Sequence, residues 1–290
     1  MTRAPTPLER WFLDHGRHEL AWRHTTDRWH VLVAEIMLAQ TQVARVEQAW
    51  PEFIRQFPTP QAAAQAGPGA MIIAWGRLGY PRRARRLYDA AVIVAERGWP
   101  HDLSVLPGVG RYTAGAVRAE VDDDPDAIGI DVNIRRVCER VNGETLSVTA
   151  AERTAIRLAR PLRGRDRLLA LMDLGALVCT ARAPTCHRCP LRRRCATQGV
   201  RDGERTSTQG RYEGSFRQRR GVVLARLRAE ESVPLDELDA VALSSLVDDG
   251  LAVIDEPSQR ARLPAGSGRE PRGTQAETER VERKKLPSRS

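Results

Sequence analysis

Apolar residues recur at helical spacing through the first two hundred positions of this 290-residue chain, and strand-like alternation is almost absent there. Leu8, Trp11 and Phe12 fall on one face. Val31, Leu32, Val33, Ile36, Met37 and Leu38 leave so little polar surface between them that they predict a buried helix, and Ala90, Val92, Ile93 and Val94 mark another. Helix stops are frequent, as at Gly79-Tyr80-Pro81 and Leu106-Pro107-Gly108. The pattern predicts an all-α domain built from many short helices. After Cys195 the texture changes. Residues 197–210 are polar and glycine-bearing and read as a linker. A basic amphipathic stretch at 219–227 follows, then a second helix over 235–247. The turn Asp249-Gly250 leads into a small hairpin over 251–263. Helix, helix and hairpin in that order suit a winged helix. From Ala265 onward Gly, Pro, Ser and alternating charge cannot bury enough apolar surface to fold, which predicts a disordered tail. The expected divisions are 1–198, a linker at 199–211, a winged-helix-like segment at 212–264 and the tail at 265–290.

The formal charge of +9 and a pI near 10.0 give the chain the electrostatic footprint of a polyanion binder. Arginine supplies almost all of it, since Lys284 and Lys285 are the only lysines. A guanidinium grips phosphate through a planar fork, although a GC-rich genome would give the same bias. No apolar run approaches the ~20 residues of a membrane span, and the N-terminus lacks the charged-then-apolar layout of a signal peptide. A cytoplasmic protein is expected.

Four of the five cysteines, Cys179, Cys186, Cys189 and Cys195, lie within seventeen residues, at gaps of six, two and five. Crowding of that kind suits a shared ligand, a zinc ion or a [4Fe-4S] cluster, better than a disulfide framework. The gaps match neither the paired two-residue knuckles of zinc nor the ferredoxin run. Cys138 sits alone in an apolar pattern and reads as buried and inert. Three further stretches carry chemistry. In Leu106-Pro107-Gly108-Val109-Gly110-Arg111-Tyr112-Thr113, two glycines in a tight turn before a helix would let backbone amides approach an anion. In Ile130-Asp131-Val132-Asn133, the acid would ordinarily be an N-cap and Asn133 a first-turn residue. Glu35 lies inside the apolar helix Val33-Ala34-Glu35-Ile36-Met37-Leu38, where a carboxyl is costly unless it is paired or protonated; the alternative is a solvent-facing glutamate.

Taken in order, these stretches resemble the endonuclease III and MutY branch of the helix-hairpin-helix (HhH-GPD) DNA glycosylases. The cysteine loop at 179–195, entered through Met172-Asp173-Leu174-Gly175-Ala176, resembles that branch's [4Fe-4S] loop. The glycine turn resembles its hairpin, with Gly108, Gly110 and Arg111 on DNA phosphates, and Asp131 falls on the catalytic aspartate with Asn133 beside it. Residues 35–43 resemble the MutY motif that carries the acid, Glu35, and the DNA-wedging Gln40 with Thr41. Trp75-Gly76-Arg77-Leu78-Gly79-Tyr80, before the arginine run at 82–86, resembles the MutY wedge loop, with Tyr80 entering the base stack; a helix end with a basic face is the alternative. The resemblance covers most of the chain up to Cys195. It implies a two-lobed, all-α glycosylase with a [4Fe-4S] cluster on Cys179, Cys186, Cys189 and Cys195. It also implies a monomer acting in the cytoplasm at the nucleoid, on double-stranded DNA with mismatched or oxidised pairs.

The implied reaction is hydrolysis of the N-glycosidic bond of adenine opposite guanine or 8-oxoguanine. Glu35 would be the acid on adenine and Asp131 the group that stabilises or traps the sugar cation. Tyr112 occupies the place where endonuclease III-type enzymes carry a Schiff-base lysine, so the enzyme is expected to be monofunctional. Some positions depart from the family: Ala39 replaces the first glutamine of a Gln-Gln-Thr run, Pro81 stands where a second tyrosine is common, and Ala21 stands before Trp22 where proline is usual. Residues 210–290 have no counterpart of the Nudix-like domain that reads 8-oxoguanine in most MutY proteins, and resemble instead the shorter ending of actinobacterial homologues. Two other readings remain: a thymine or uracil mismatch glycosylase, which shares the cluster, the aspartate and the tyrosine, and a non-catalytic DNA-binding iron-sulfur protein.

Overall fold

The computed structural model describes residues 3–204 and 210–266. Among the described residues up to the cysteine loop, nine α-helices surround the hairpin: α1 (Pro7–His15), α2 (Arg28–Leu38), α3 (Val43–Gln56), α4 (Pro60–Trp75), α5 (Arg82–Arg97), α6 (Arg111–Val121), α7 (Val132–Asn142), α8 (Val148–Leu158) and α9 (Gly164–Leu177). Their starts are written in the sequence. Thr6 and Glu9 form a reciprocal capping box on α1, while Asp27, Thr59 and Ser147 cap α2, α4 and α8 through their side chains. Among the described residues no helix is long and apolar enough to cross a membrane.

Two apolar cores make the two lobes. One gathers Trp29, Leu32 and Met37 of α2, Val46 and Phe53 of α3, Met71 and Trp75 of α4 and Leu87 of α5. The other gathers Leu8 and Phe12 of α1, Ile134 and Val137 of α7, Ala151 of α8 and Leu168 and Leu171 of α9. Helix α6 is the wall they share: Ala114 and Val117 face the first core, Ala116 and Ala119 the second. Whatever lies along the α2–α6 contact is therefore shielded from water on both sides.

The C-terminal segment folds as α10 (Phe216–Ala229), β1 (Val233–Pro234), α11 (Ala240–Asp248), β2 (Val253–Asp255) and β3 (Arg260–Arg262). Its small antiparallel sheet has the order β1-β3-β2, with Ala261 of β3 opposite Val233 and Ile254. This is winged-helix-like, with two differences from the expected boundaries. The first helix begins at Phe216, where Ser215 caps it, and the second begins only at Ala240, where Asp239 caps it. Residues 235–237 form a single 3-10 turn, and Val233–Pro234 is a strand that the hydrophobic pattern does not announce. The segment has no core of its own. Val223, Leu224, Leu227, Leu243 and Leu246 join the first lobe's core. Arg228 donates to the Ile72 carbonyl at 3.0 Å and Arg85 to that of Gly250 at 2.9 Å, while the Gly69 amide donates to the Pro264 carbonyl at 2.9 Å. The latter bond forms where α4 is broken at Gly67 ahead of Pro68. Most of the tail expected at 265–290, and residues 205–209 of the expected linker, lie outside the described residues.

Candidate active site

Glu35 is the only acid of α2 and is 3% exposed, so the buried alternative holds rather than the solvent-facing one. Burial, reinforced by the nearby Glu120 carboxyl and by Asp131, pushes its pKa up to about 8, while a hydrogen bond from Tyr112 pulls the other way. Its Oε2 is buried without a hydrogen-bond partner. A carboxyl in this state is protonated at neutral pH and has an oxygen left for a ligand. Tyr112 and Glu120 both come from α6, eight residues apart and close to one face of the helix. The Tyr112 ring is wedged in place. A Cβ at Gly129 would lie 2.9 Å from it, so only glycine lets the 127–130 segment pass so close. Burial beside Glu35 and Asp131 holds the Tyr112 phenol well above its ordinary pKa, hence neutral.

Asp131 is the N-cap that its sequence context allowed. Its Oδ1 accepts from the Ile134 amide at 2.6 Å and so caps α7, and its Oδ2 accepts from the Asn133 side-chain amide at 2.7 Å. Capping fixes the carboxyl's orientation. Burial raises its pKa, against the pull of those hydrogen bonds. Asn133 is itself held, since its Oδ1 accepts from Arg136 at 2.7 Å, and Arg136 also donates to the carbonyls of Gly175 and Cys179. Both polar ends of the Asn133 amide are thus engaged inside the protein.

The other expected residues lie at the rim. Gly108 has φ 80°, and a Cβ there would sit 3.0 Å from that of Arg86, so the hairpin turn requires glycine. Gly110 begins α6 without a side-chain cap, which leaves first-turn amides for an anion. Arg111 pairs with Glu152 at 2.7 Å and remains 65% exposed. Gln40 and Tyr80 are exposed non-glycine residues at positive φ, 61° and 48°, strain of the kind that clusters at binding sites. One residue holds both of their loops. Arg83 donates to the carbonyls of Ile36, Met37, Ala39 and Gly79 and to Thr41 Oγ1, and its guanidinium lies 5.3 Å from the ring centres of Tyr80 and Trp75. Thr41 in turn donates to the Leu78 carbonyl at 3.2 Å. Burial drops the Arg83 pKa to about 10, still fully charged at neutral pH.

The four clustered cysteines line one pocket with Val137, Leu174, Val178 and Leu191. Arg140, 1% exposed, donates to the Cys179 sulfur at 3.4 Å and to the carbonyls of Thr180 and Ala181, and Glu204 neutralises it at 2.9 Å. The Gln198 amide donates to the Cys195 sulfur at 3.4 Å. Cys138 is buried apart from them, its thiol pushed up to about 12 by burial.

Comparison with known proteins decides the family. Residues 33–161 match the HhH-GPD superfamily base excision DNA repair protein family. An adenine DNA glycosylase of Mycolicibacterium smegmatis is 38% identical over 92% of this chain and 98% of that protein. One of Mycobacterium tuberculosis is 39% identical over 83% of this chain and 84% of that protein. The chain belongs to the adenine DNA glycosylases. Among solved structures, a thermostable thymine-DNA glycosylase superposes with a TM-score of 0.60 at 27% identity, over 66% of this chain and 93% of that one. The glycosylase fold is thus shared with a thymine enzyme, while sequence likeness on both sides of residue 161 lies with the adenine glycosylases.

The cysteine loop has features that would suit a metal cluster. Its four sulfurs share one largely apolar pocket, and two hydrogen bonds reach sulfur, the setting that stabilises thiolate ligands. Arg188, Arg192, Arg193 and Arg194 stand exposed on the same loop. Sequence reading did not single out four polar residues that the structure buries or engages: Glu120, Arg83, Arg136 and Asp173. Asp173 is wholly buried, yet Arg23 and Arg17 hold its pKa below the usual range against the effect of burial. Only Asp173 had a signal, as the one acid in an apolar helix turn.

Proposed function

We propose that Glu35 and Asp131 carry the reaction in which this protein, an adenine glycosylase of base-excision DNA repair, releases adenine opposite guanine or 8-oxoguanine. The observation that carries the reading is the pair of differently placed carboxyls. Glu35 is buried and protonated with a free oxygen, and Asp131 is oriented by a helix start and by Asn133. Glu35 gives its proton to a ring nitrogen of the flipped-out base as the glycosidic bond breaks, and the bonding electrons leave with adenine. Asp131 stabilises the sugar cation, and water then completes the hydrolysis. Asn133, engaged by Asp131 and Arg136, acts by holding Asp131 in line. The hairpin glycines, Arg111, Gln40, Thr41 and Tyr80 address the DNA, the last three at the opened stack. Cys179, Cys186, Cys189 and Cys195 would hold a [4Fe-4S] cluster, whose contribution is to fix the arginine-bearing loop for phosphate contact. The protein acts as a monomer.

Base release from duplexes carrying A, T or U opposite G or 8-oxoguanine, read after alkali, tests this. Adenine release should fall about 10²–10⁴-fold in Glu35→Gln and Asp131→Asn. Undiminished release in both variants, or faster loss of T or U than of A, would overturn the assignment. With Tyr112 neutral and no lysine before position 284, borohydride should trap no protein–DNA adduct under the same conditions.

A further inference from the structure

The loop that carries Tyr80, residues 76–81, joins α4 to α5, so its stance depends on how those two helices are held. The C-terminal segment grips both of them. On α4, Arg228 donates to the Ile72 carbonyl at 3.0 Å, and the Gly69 amide donates to the Pro264 carbonyl at 2.9 Å. On α5, Arg85 donates to the Gly250 carbonyl at 2.9 Å, and Arg82 Nε pairs with Asp249 Oδ1 at 3.1 Å. Asp249 ends α11, and its side chain is 10% exposed. Its other oxygen accepts from Arg220, which also donates to Ser245 Oγ, so the carboxylate is fixed within its own segment.

Successive arginines at the start of α5 are divided between two partners. Arg82 turns to Asp249, while Arg83 turns to the carbonyls of Ile36, Met37, Ala39 and Gly79. Tyr80 is tied directly to this helix start, because its carbonyl accepts from the Arg83 amide at 2.9 Å. Its φ of 48° is a conformation that persists only where the surroundings enforce it. We propose that the C-terminal segment braces the Tyr80 loop, with Asp249 as the positioning residue. By holding α4 and α5 on either side of that loop, the segment keeps Tyr80 set to enter DNA. The idea rests on Tyr80 being the residue that enters the opened stack. A segment that only roofed the apolar core would need its leucines and valines. It would not need a shielded carboxylate spent on Arg82, whose own side chain is 60% exposed.

The experiment follows stack entry by the full-length protein on a duplex with 2-aminopurine beside a tetrahydrofuran abasic analogue. Fluorescence rises as the 2-aminopurine is unstacked, and no base needs to be released. Tyr80→Ala should abolish the rise. Asp249→Asn should slow it about tenfold, as for loss of a shielded charge-assisted bond. Affinity for plain duplex and its salt slope should stay unchanged in that variant. In an Arg82→Gln background Asp249→Asn should add nothing further. An undiminished rate in Asp249→Asn overturns the proposal. So does tighter binding of plain duplex by that variant, which would mean that Asp249 merely withholds Arg82 from phosphate. Should Asp249→Asn not fold, Arg228→Met loosens the grip on α4 instead, and an unmoved rate there overturns the brace equally. A rise that survives Tyr80→Ala sinks the reading of Tyr80 and the brace with it. A rise lost in Tyr80→Ala but intact in Asp249→Asn sinks the brace alone.

Discussion

Glu35 stores free energy as well as chemistry. Its folded pKa, about 8, lies above the ordinary 4.5, so the folded state holds a proton that the unfolded chain releases. The stabilisation from that proton is complete below pH 4.5 and is lost as pH rises through 8. Relative to Glu35→Gln, the native protein should therefore lose stability across that window, with a slope of up to about 1.4 kcal/mol per pH unit. Paired thermal melts at pH 5 and pH 8.5 measure it, and parallel curves would show that Glu35 is not protonated in the folded state. The position of Glu35 was legible in the sequence because a carboxyl among Val33, Ile36, Met37 and Leu38 has few places to go. Glu120 was not. A glutamate near the end of a helix is solvent-facing by default, and only the packing of α6 on α2 turns it inward. Of the four arginines at 82–86, nothing in the local pattern says that Arg83 points into the protein.

The loops bearing Gln40 and Tyr80 are tied into one element by a single guanidinium, that of Arg83. Gln40 and Tyr80 keep positive φ angles that cost about 1–3 kcal/mol each when unsupported. Arg83→Ala should let both relax, weakening mismatch binding and slowing base flipping while leaving the Glu35 titration in place. The expected signature is a loss of about tenfold or more in single-turnover rate with an unchanged alkaline pH limb, and a shifted limb would contradict it. Helices were the most readable level, since their 3.6-residue period and their stops at Gly79-Tyr80-Pro81 and Leu106-Pro107-Gly108 both hold. The C-terminal boundaries were not, because Ser215 and Asp239 start their helices by side-chain capping and a two-residue strand containing Pro234 has no periodicity to detect.

Over the whole molecule the net charge is +9, and some of the exposed positive charge gathers on one loop. Arg188 and Arg192–Arg194 project from the cysteine loop, and the uncapped start of α6 opens beside the hairpin. Replacing Arg192 and Arg193 by alanine should weaken binding to any duplex alike. The slope of log affinity against log salt should shrink by about one for each phosphate that is no longer neutralised. A change confined to mismatched duplexes would instead mean that these residues read the lesion. That the chain builds two lobes was legible only through family resemblance, because periodicity shows which faces are apolar and not which of them meet.

The C-terminal segment completes the first lobe's core instead of standing beside it, with Val223, Leu227 and Leu246 packed among residues that come from α2 to α5. This has a consequence for synthesis. The lobe bearing Glu35 is translated first, yet its last apolar partners leave the ribosome only after the cysteine loop and the second lobe. Until then the α4–α5 face stays uncovered, so the earliest lobe to be made is the last to become watertight, and a chain truncated after Arg211 should emerge sticky and protease-sensitive.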